Sequence, residues 1–244
     1  MILQKSSIII YELLPLWLRH KVQAPERGLC FLWLWKMRTT VYIDGFNLYY
    51  GSLKQSKAKW LDLFIYFSKM LPSDCKLEKV KYFTARVRPL PNDRDAPNRQ
   101  DVYFRALKAM YGEKIEIIEG RFSIKTKKAP LEENPKKIVR VIQAEEKGSD
   151  VNLAVEMVHD GWSDKFDCAV VVTNDSDIER ALSILKKHLK KKVFLFTPGA
   201  PQRTPLAVMN RWSHKQFDML IEDLLNNQLP NPIPNTEIYK PENW

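Results

Sequence analysis

The chain contains few cysteines and histidines, the residues from which zinc sites and disulfide-stapled domains are built. It contains three cysteines and four histidines among 244 residues, and no two cysteines form a CxxC pair. They are dispersed along the chain as Cys30, Cys75, Cys168, His20, His159, His188 and His214. A dispersed set of this kind predicts neither a zinc site nor a disulfide-stapled domain. A reducing cytoplasm is therefore the expected location.

Long uninterrupted hydrophobic runs are also missing. Residues 1–36 include apolar stretches, but Glu12, Pro15 and Arg19 interrupt them, whereas a membrane span needs about 20 largely uncharged residues. The same stretch has neither the clean basic beginning nor the small-residue cleavage site of a signal peptide. We therefore predict no membrane partner. We also predict that residues 1–36 are an extension outside the fold, upstream of a natural start at Met37.

The charge balance is strongly basic. Lysine and arginine number 39 against 29 aspartates and glutamates, which gives a net charge of +10 and an isoelectric point near 9.4. This excess predicts a polyanionic partner, with nucleic acid ahead of a membrane surface. The alternative interpretation is a soluble protein that carries many surface lysines.

Short β-prone segments alternate with amphipathic helical segments from Met37 onward. This alternation predicts an α/β fold with a doubly wound, mainly parallel five-stranded sheet and helices on both faces. We expect one domain over residues 37–228, with a basic β excursion at 121–143 and closing helices at 206–209 and 216–225. The last residues, 229–244, carry four prolines and are predicted to be an extended tail. The predicted strands are 39–43, 77–87, 115–118, 168–173 and 193–196.

Two of these strands end in carboxylates. The apolar run 170–172 leads into Thr173, Asn174, Asp175, Ser176 and Asp177, and an amphipathic helix follows. The first strand has the same pattern and closes on Asp44, Gly45, Phe46 and Asn47. Ligands of open α/β sheets bind at the carboxyl ends of the strands. If the two strands are neighbours, Asp44, Asp175 and Asp177 meet in one small volume.

Carboxylates that lie so close repel one another, and burial strengthens the repulsion. A bound divalent cation removes this difficulty, and carboxylate oxygens are the ligands that Mg²⁺ and Mn²⁺ prefer. We therefore predict Mg²⁺ or Mn²⁺ at this edge of the sheet. Asp44 and Asp175 are assigned as central ligands because each follows a strand. Asp177 is assigned to a second ion or to the orientation of water.

Three segments together resemble a known family. They are 42–49 (YIDGFNLY), 147–154 (KGSDVNLA) and 173–177 (TNDSD). Their order and spacing are similar to those of the NYN-domain family, more narrowly its LabA-like branch, within the PIN-like nuclease superfamily. The resemblance extends from about residue 37 to residue 196. It implies a sheet in 3-2-1-4-5 order and metal-dependent cleavage of RNA, with Asp44, Asp150, Asp175 and Asp177 as the matching carboxylates.

The expected chemistry is hydrolysis of a phosphodiester bond. This reaction needs an activated water and stabilisation of negative charge on the phosphate, and one or two divalent ions supply both. Asp150, at the start of its helix, would approach the site from the side. Asn47 and Asn174 are predicted to hold the scissile phosphate or a metal-bound water. Arg86 and Arg88 lie at the carboxyl end of the second strand and are predicted to contact phosphate.

Each acidic residue also has a purely structural interpretation. Asp44 or Asp150, taken alone, is typical of a helix N-cap. Ser176 and Glu179 fit a capping box, which would place Asp177 in the first turn of a helix, where an acid is favoured. The presence of all the motifs together favours an acidic metal site.

Other functions remain open at this point. A phosphatase of the haloacid-dehalogenase type would need a second aspartate at position 42, where this chain has Tyr42. A non-catalytic RNA-binding or regulatory protein could use the same fold, although the four carboxylates favour an enzyme.

The oligomeric state is also open. A homodimer is possible, because basic PIN-like domains often pair.

Overall fold

One parallel sheet organises residues 37–244, which form a unit of their own. The computed structural model describes residues 36–91, 93–199, 207–242 and 244. Apart from Lys36, the predicted extension at 1–36 lies outside the described residues. In the ranges that are described, no helix combines the length and the apolar character that a membrane crossing requires.

In the described part of the chain, six strands form the sheet, and every neighbouring pair is parallel. Their order is β3-β2-β1-β6-β7-β8, and the two remaining strands pair with each other in an antiparallel ribbon, β4-β5. The predicted fold class is therefore confirmed, but the five-stranded order is not exact, since β8 adds a sixth strand beside β7. The strands are β1 (Met37–Asp44), β2 (Cys75–Thr84), β3 (Ile115–Glu119), β4 (Arg121–Leu131), β5 (Asn134–Lys147), β6 (Cys168–Val172), β7 (Lys192–Thr197) and β8 (Lys215–Asp218).

Helices cover both faces of the sheet. Because side chains alternate along a strand, Val41 and Ile43 belong to one buried cluster, whereas Tyr42 belongs to the other. The helices are α1 (Gly45–Leu48, continued by a π turn at Tyr49–Leu53), α2 (Leu63–Met70), α3 (Ala96–Tyr111), α4 (Ser149–Trp162), α5 (Glu179–Lys187), α6 (Ala207–Trp212) and α7 (Ile221–Leu225). Short 3-10 turns at Gly112–Lys114 and Ser176–Ile178 precede β3 and α5.

The prediction of the second closing helix, at 216–225, is wrong in its first half. Lys215–Asp218 is the strand β8, and α7 begins only at Ile221. The ring of Phe217 stacks on the ring of Phe196 in β7, with centroids 4.6 Å apart and planes at 11°. Pairing with the free edge of β7 therefore outweighs the local helical pattern.

The proline-rich segment 229–244 packs against the domain. Its described residues form no helix or strand, but a turn interrupts the predicted extended course, because the N–H of Thr236 donates to the carbonyl oxygen of Ile233 at 3.2 Å. Leu229 and Ile233 are buried in the core. The Nε1–H of Trp60 donates a hydrogen bond to the carbonyl oxygen of Pro230 at 3.2 Å, and Trp244 packs edge-on against Trp60. This segment therefore adds to the apolar core.

Candidate functional site

Asp44 is the last residue of β1 and the N-cap of α1. Its Oδ1 accepts the backbone N–H of Asn47 at 2.9 Å, and its Oδ2 accepts the hydroxyl of Thr173 at 2.9 Å. The side chain is buried, with the residue only 5% exposed. Burial raises the pKa of Asp44, the two hydrogen bonds oppose that rise, and the charges of Asp175 and Glu146 add to it. Asp44 is therefore both a cap and a fixed, buried acid.

Asp175 lies opposite Asp44, in the turn that follows β6. The Thr173 hydroxyl links the two residues, because it donates to Asp44 and accepts the backbone N–H of Asp175 at 3.0 Å. Asp175 in turn accepts the backbone N–H of Asp177 at 2.9 Å and caps the 3-10 turn. The predicted capping box is therefore wrong: Asp175 performs the capping that was assigned to Ser176, and Glu179 accepts the indole N–H of Trp212.

Asp150 lies in the first turn of α4 and is half-buried. Burial and repulsion from neighbouring carboxylates raise the pKa of Asp150 to about 6. The repelling groups are the other three predicted acids and Glu146, which the sequence analysis missed. Glu146 lies near the end of β5 and accepts the backbone N–H of Ser149, the first residue of α4, at 2.9 Å. We call these five residues the acidic cluster: Asp44, Glu146, Asp150, Asp175 and Asp177.

Within the described ranges, the acidic cluster lacks a protein counter-charge. Among the described residues, none of its five carboxylates forms an ion pair with a lysine, arginine or histidine. Two buried oxygens beside it, Ser149 Oγ and Asn174 Oδ1, have no hydrogen-bond partner. Carboxylates without an ion-pair partner and oxygen atoms without a hydrogen-bond partner are ligand atoms that suit Mg²⁺ or Mn²⁺.

The side chains of the acidic cluster do not already converge on one point. In the part of the chain that the structure describes, no group of three or more histidine, cysteine, aspartate or glutamate side chains is arranged to hold a metal ion. The donor types therefore fit a divalent cation, but the ligands would have to be drawn together when it binds. The metal-binding roles of the four predicted aspartates remain predictions.

Asn47 and Asn174 join the two acidic turns. The backbone N–H of Asn174 donates to Oδ1 of Asn47 at 3.2 Å. Gly45, between Asp44 and Phe46, explains why this turn is so tight: a Cβ at position 45 would lie 2.7 Å from the carbonyl oxygen of Phe83. Only glycine fits there without a shift of the backbone.

The two predicted phosphate contacts differ in their surroundings. Arg86 donates to Glu119 at 2.7 Å and to Asp101 at 2.9 Å, so acidic partners already hold its guanidinium. Arg88 instead lines a cavity of about 450 Å³ beside Gly45 and Phe46. Phosphate binding by either residue remains a prediction, and Arg86 would have to exchange its ion pairs for it.

Neutralising Asp150 is expected to stabilise the metal-free protein at neutral pH. The pKa of Asp150 is about 6 in the folded chain and about 4 in an unfolded chain. Between those values the folded state binds more protons, so the free energy of unfolding falls as pH rises from about 4 to about 6.

The variant Asp150→Asn escapes this loss. In chelator at pH 7, we expect it to be more stable than the wild type by about 1 kcal/mol, a figure reduced for the exposure of the side chain. The advantage should vanish below about pH 4, where the wild-type carboxyl is protonated in both states. Urea unfolding of both proteins at several pH values measures it, and an advantage that does not change with pH would refute the pKa assignment.

A family model and two individual proteins match this chain. The model of the NYN domain matches residues 38–215. The 6-hydroxy-3-succinoylpyridine 3-monooxygenase HspA of Pseudomonas putida is 35% identical over 237 residues, which cover 85% of this chain and 75% of that protein. A crystal structure of a protein of unknown function from Vibrio parahaemolyticus superposes with a TM-score of 0.50 at 14% identity, covering 78% of this chain and 96% of that one. This last match concerns the fold alone.

Proposed function

The chain belongs to the NYN domain family, and we propose that it is a divalent-metal-dependent ribonuclease that hydrolyses RNA phosphodiester bonds at the acidic cluster. The observation that carries this proposal is the group of mutually repelling carboxylates near the carboxyl edge of β1 and β6, none of which is paired with a cationic side chain in the described part of the chain. We further propose that it is a member of the LabA-like branch and acts in the cytoplasm.

The residues of the acidic cluster and the two asparagines beside it would have different roles in this reaction. When bound, Mg²⁺ or Mn²⁺ would activate a water and stabilise negative charge on the phosphate. Asp44 and Asp175 would be its central ligands, because the hydroxyl of Thr173 holds both turns in place. Asp150 and Asp177 would complete the ligand set, and Asn47 and Asn174 would position the scissile phosphate.

The basic charge of the chain supports RNA as the partner. The ribbon β4-β5 carries exposed lysines on both strands, and exposed lysines bind phosphate backbones through charge without reading the sequence. These lysines are Lys125, Lys127, Lys128, Lys136 and Lys137. A non-catalytic RNA-binding protein would use the same surface, so cleavage itself must be measured.

A second candidate function comes from the relative in Pseudomonas putida, which is named as a monooxygenase of 6-hydroxy-3-succinoylpyridine. The cavity beside Phe46 supports this candidate, because aromatic side chains line much of it and it lies in the size range of small-molecule sites. A monooxygenase places one oxygen atom of O₂ in its product and releases the other as water, with two electrons taken from a reductant. We rank this candidate second because it leaves the acidic cluster without a role.

One experiment separates these functions. The purified wild-type chain is incubated with labelled single-stranded RNA in Mn²⁺, in Mg²⁺ and in chelator. A parallel sample of the chain is incubated with 6-hydroxy-3-succinoylpyridine, a reduced nicotinamide cofactor and oxygen, and the oxygen uptake of this sample is recorded. We expect RNA fragments only with metal, and no uptake of oxygen. Oxygen uptake without RNA cleavage would replace the ribonuclease proposal with the second candidate, and RNA binding without either reaction would make the protein non-catalytic.

A further inference from the structure

Three aromatic rings form a continuous wall close to Asp44. The ring of Phe46 is stacked on that of Tyr50, with centroids 6.2 Å apart and planes at 15°. It is also stacked on the ring of Phe122, with centroids 6.4 Å apart and planes at 10°. Phe46 and Tyr50 come from α1 and its π turn, whereas Phe122 comes from β4. We call Phe46, Tyr50 and Phe122 the aromatic wall.

The aromatic wall lines the cavity of about 450 Å³. Its three side chains are accessible to solvent: Tyr50 is 56% exposed, and Phe46 and Phe122 are half-buried. Aromatic rings that serve only to fill a core are buried like Phe196, which is 0% exposed. Aromatic side chains that line a cavity and stay accessible to solvent can stack on a flat ligand.

The same cavity carries positive charge. Arg88, Lys54 and Lys59 line it, and the ammonium of Lys54 lies 4.8 Å from the ring centroid of Tyr50. Within the described ranges, Arg88 forms no ion pair, whereas Arg99 on the same cavity is held by Asp93 at 2.6 Å. Arg88 therefore has its guanidinium available for an anion.

We propose that this cavity binds a planar aromatic ring that carries an anionic group, with the ring stacked on the aromatic wall and the anion at Arg88. Two sources share this chemistry, an unpaired nucleotide and a small aromatic acid. The proposal does not depend on which reaction the acidic cluster performs. It does place the ring of the ligand beside Gly45, the residue that follows Asp44.

The test is equilibrium binding in chelator, so that no turnover occurs. The probes are adenosine 5′-monophosphate, its uncharged counterpart adenosine, and the pyridine carboxylate 6-hydroxynicotinate. We expect the wild type to bind at least one of the two charged probes with a dissociation constant of roughly 1 mM or lower. The nucleotide alone, the pyridine carboxylate alone, or both would each support the site and identify the source.

Two variants tie this binding to the cavity. Phe122→Ala removes one ring of the wall and should weaken binding roughly tenfold, since stacking of a base on an aromatic side chain contributes about that much. Arg88→Ala should weaken the charged probes and leave adenosine unchanged. Tyr239→Ala, which removes an exposed ring outside the cavity, is the matched control and should bind like the wild type.

The proposal fails if the folded wild type binds neither charged probe at roughly 1 mM. It also fails if Phe122→Ala binds as tightly as Tyr239→Ala. Circular dichroism of each variant establishes that it is folded. A ribonuclease that cleaves RNA but shows either result would retain its proposed function and lose this binding site.

Discussion

Replacing Asp175 by asparagine is expected to lower metal-dependent RNA cleavage by more than about 100-fold. Loss of a residue that only orients a metal ligand already costs 10–100-fold in metal affinity or activity, and Asp175 is assigned as a ligand itself. Asparagine keeps the size of the side chain and an oxygen that can accept the backbone N–H of Asp177, so the turn should survive. Initial rates of cleavage at saturating Mn²⁺ measure the loss.

A matched control comes from the same edge of the sheet. Asp218 is also an aspartate at the carboxyl end of a parallel strand, but β8 is three strands away from β1. Asp218→Asn should therefore cleave RNA at the wild-type rate. If a cooperatively folding Asp175→Asn also cleaved at that rate, the acidic cluster would not be the nuclease centre.

The largest expected effect on stability concerns Lys81, which lies in β2 and is 5% exposed. Its ammonium lies 2.6 Å from Asp160 and 2.7 Å from Glu156. Burial alone would lower the pKa of Lys81, but the hydrogen bonds to these two carboxylates outweigh it and raise the pKa. Asp160 is 1% exposed and also accepts the hydroxyl of Tyr42 at 2.9 Å. Lys81 therefore balances a buried negative charge.

Lys81→Met should lower the free energy of unfolding by about 3 kcal/mol. Removal of one partner of a buried ion pair leaves the other charge buried and unbalanced. We expect the lower end of the usual free-energy cost, because the hydroxyl of Tyr42 and the ammonium of Lys165 still donate hydrogen bonds to Asp160. Chemical denaturation measures the change. Lys79→Met, in the same strand but at a more exposed pair with Glu116, should cost less than about 1 kcal/mol.

A double variant keeps this prediction testable. In Lys81→Met with Asp160→Asn, the buried carboxylate is neutralised as well, and the remaining carboxylate of Glu156 is 39% exposed, so part of the lost stability should return. If Lys81→Met were as stable as the wild type, the buried pair would contribute nothing to the fold. Activity of the folded variants on RNA should stay at the wild-type level, because none of these residues belongs to the acidic cluster.

The positions of the strand-end acids could be predicted from the sequence because they follow from local pattern and parallel pairing. An apolar run that ends in aspartate places that aspartate at the carboxyl edge of the sheet, and neighbouring strands bring Asp44 and Asp175 together. Glu146 could not be found in this way. It reaches the site because β5 returns from a long ribbon and Gly148, at φ 95°, turns the chain into α4.

Long-range contacts account for the other differences. Arg86 follows β2 as predicted, but its partners Asp101 and Glu119 lie on other elements and leave no signal in the sequence around Arg86. β8 is only four residues long, too short for its periodicity to distinguish a strand from a helix. Its assignment depends on the edge of β7, which no local pattern reveals.

Binding of Mn²⁺ is the most direct test of the proposed centre. The carboxylates repel one another and, among the described residues, are not gathered around one point, so a bound cation would have to draw them together. Calorimetric titration of the wild type, with thermal unfolding in the same buffers, measures it. We expect binding and a higher melting temperature that grows with Mn²⁺ concentration, with both effects lost in Asp175→Asn and kept in Asp218→Asn. A folded wild type that gains no stability and binds no Mn²⁺ would contradict a metal-dependent nuclease at the acidic cluster.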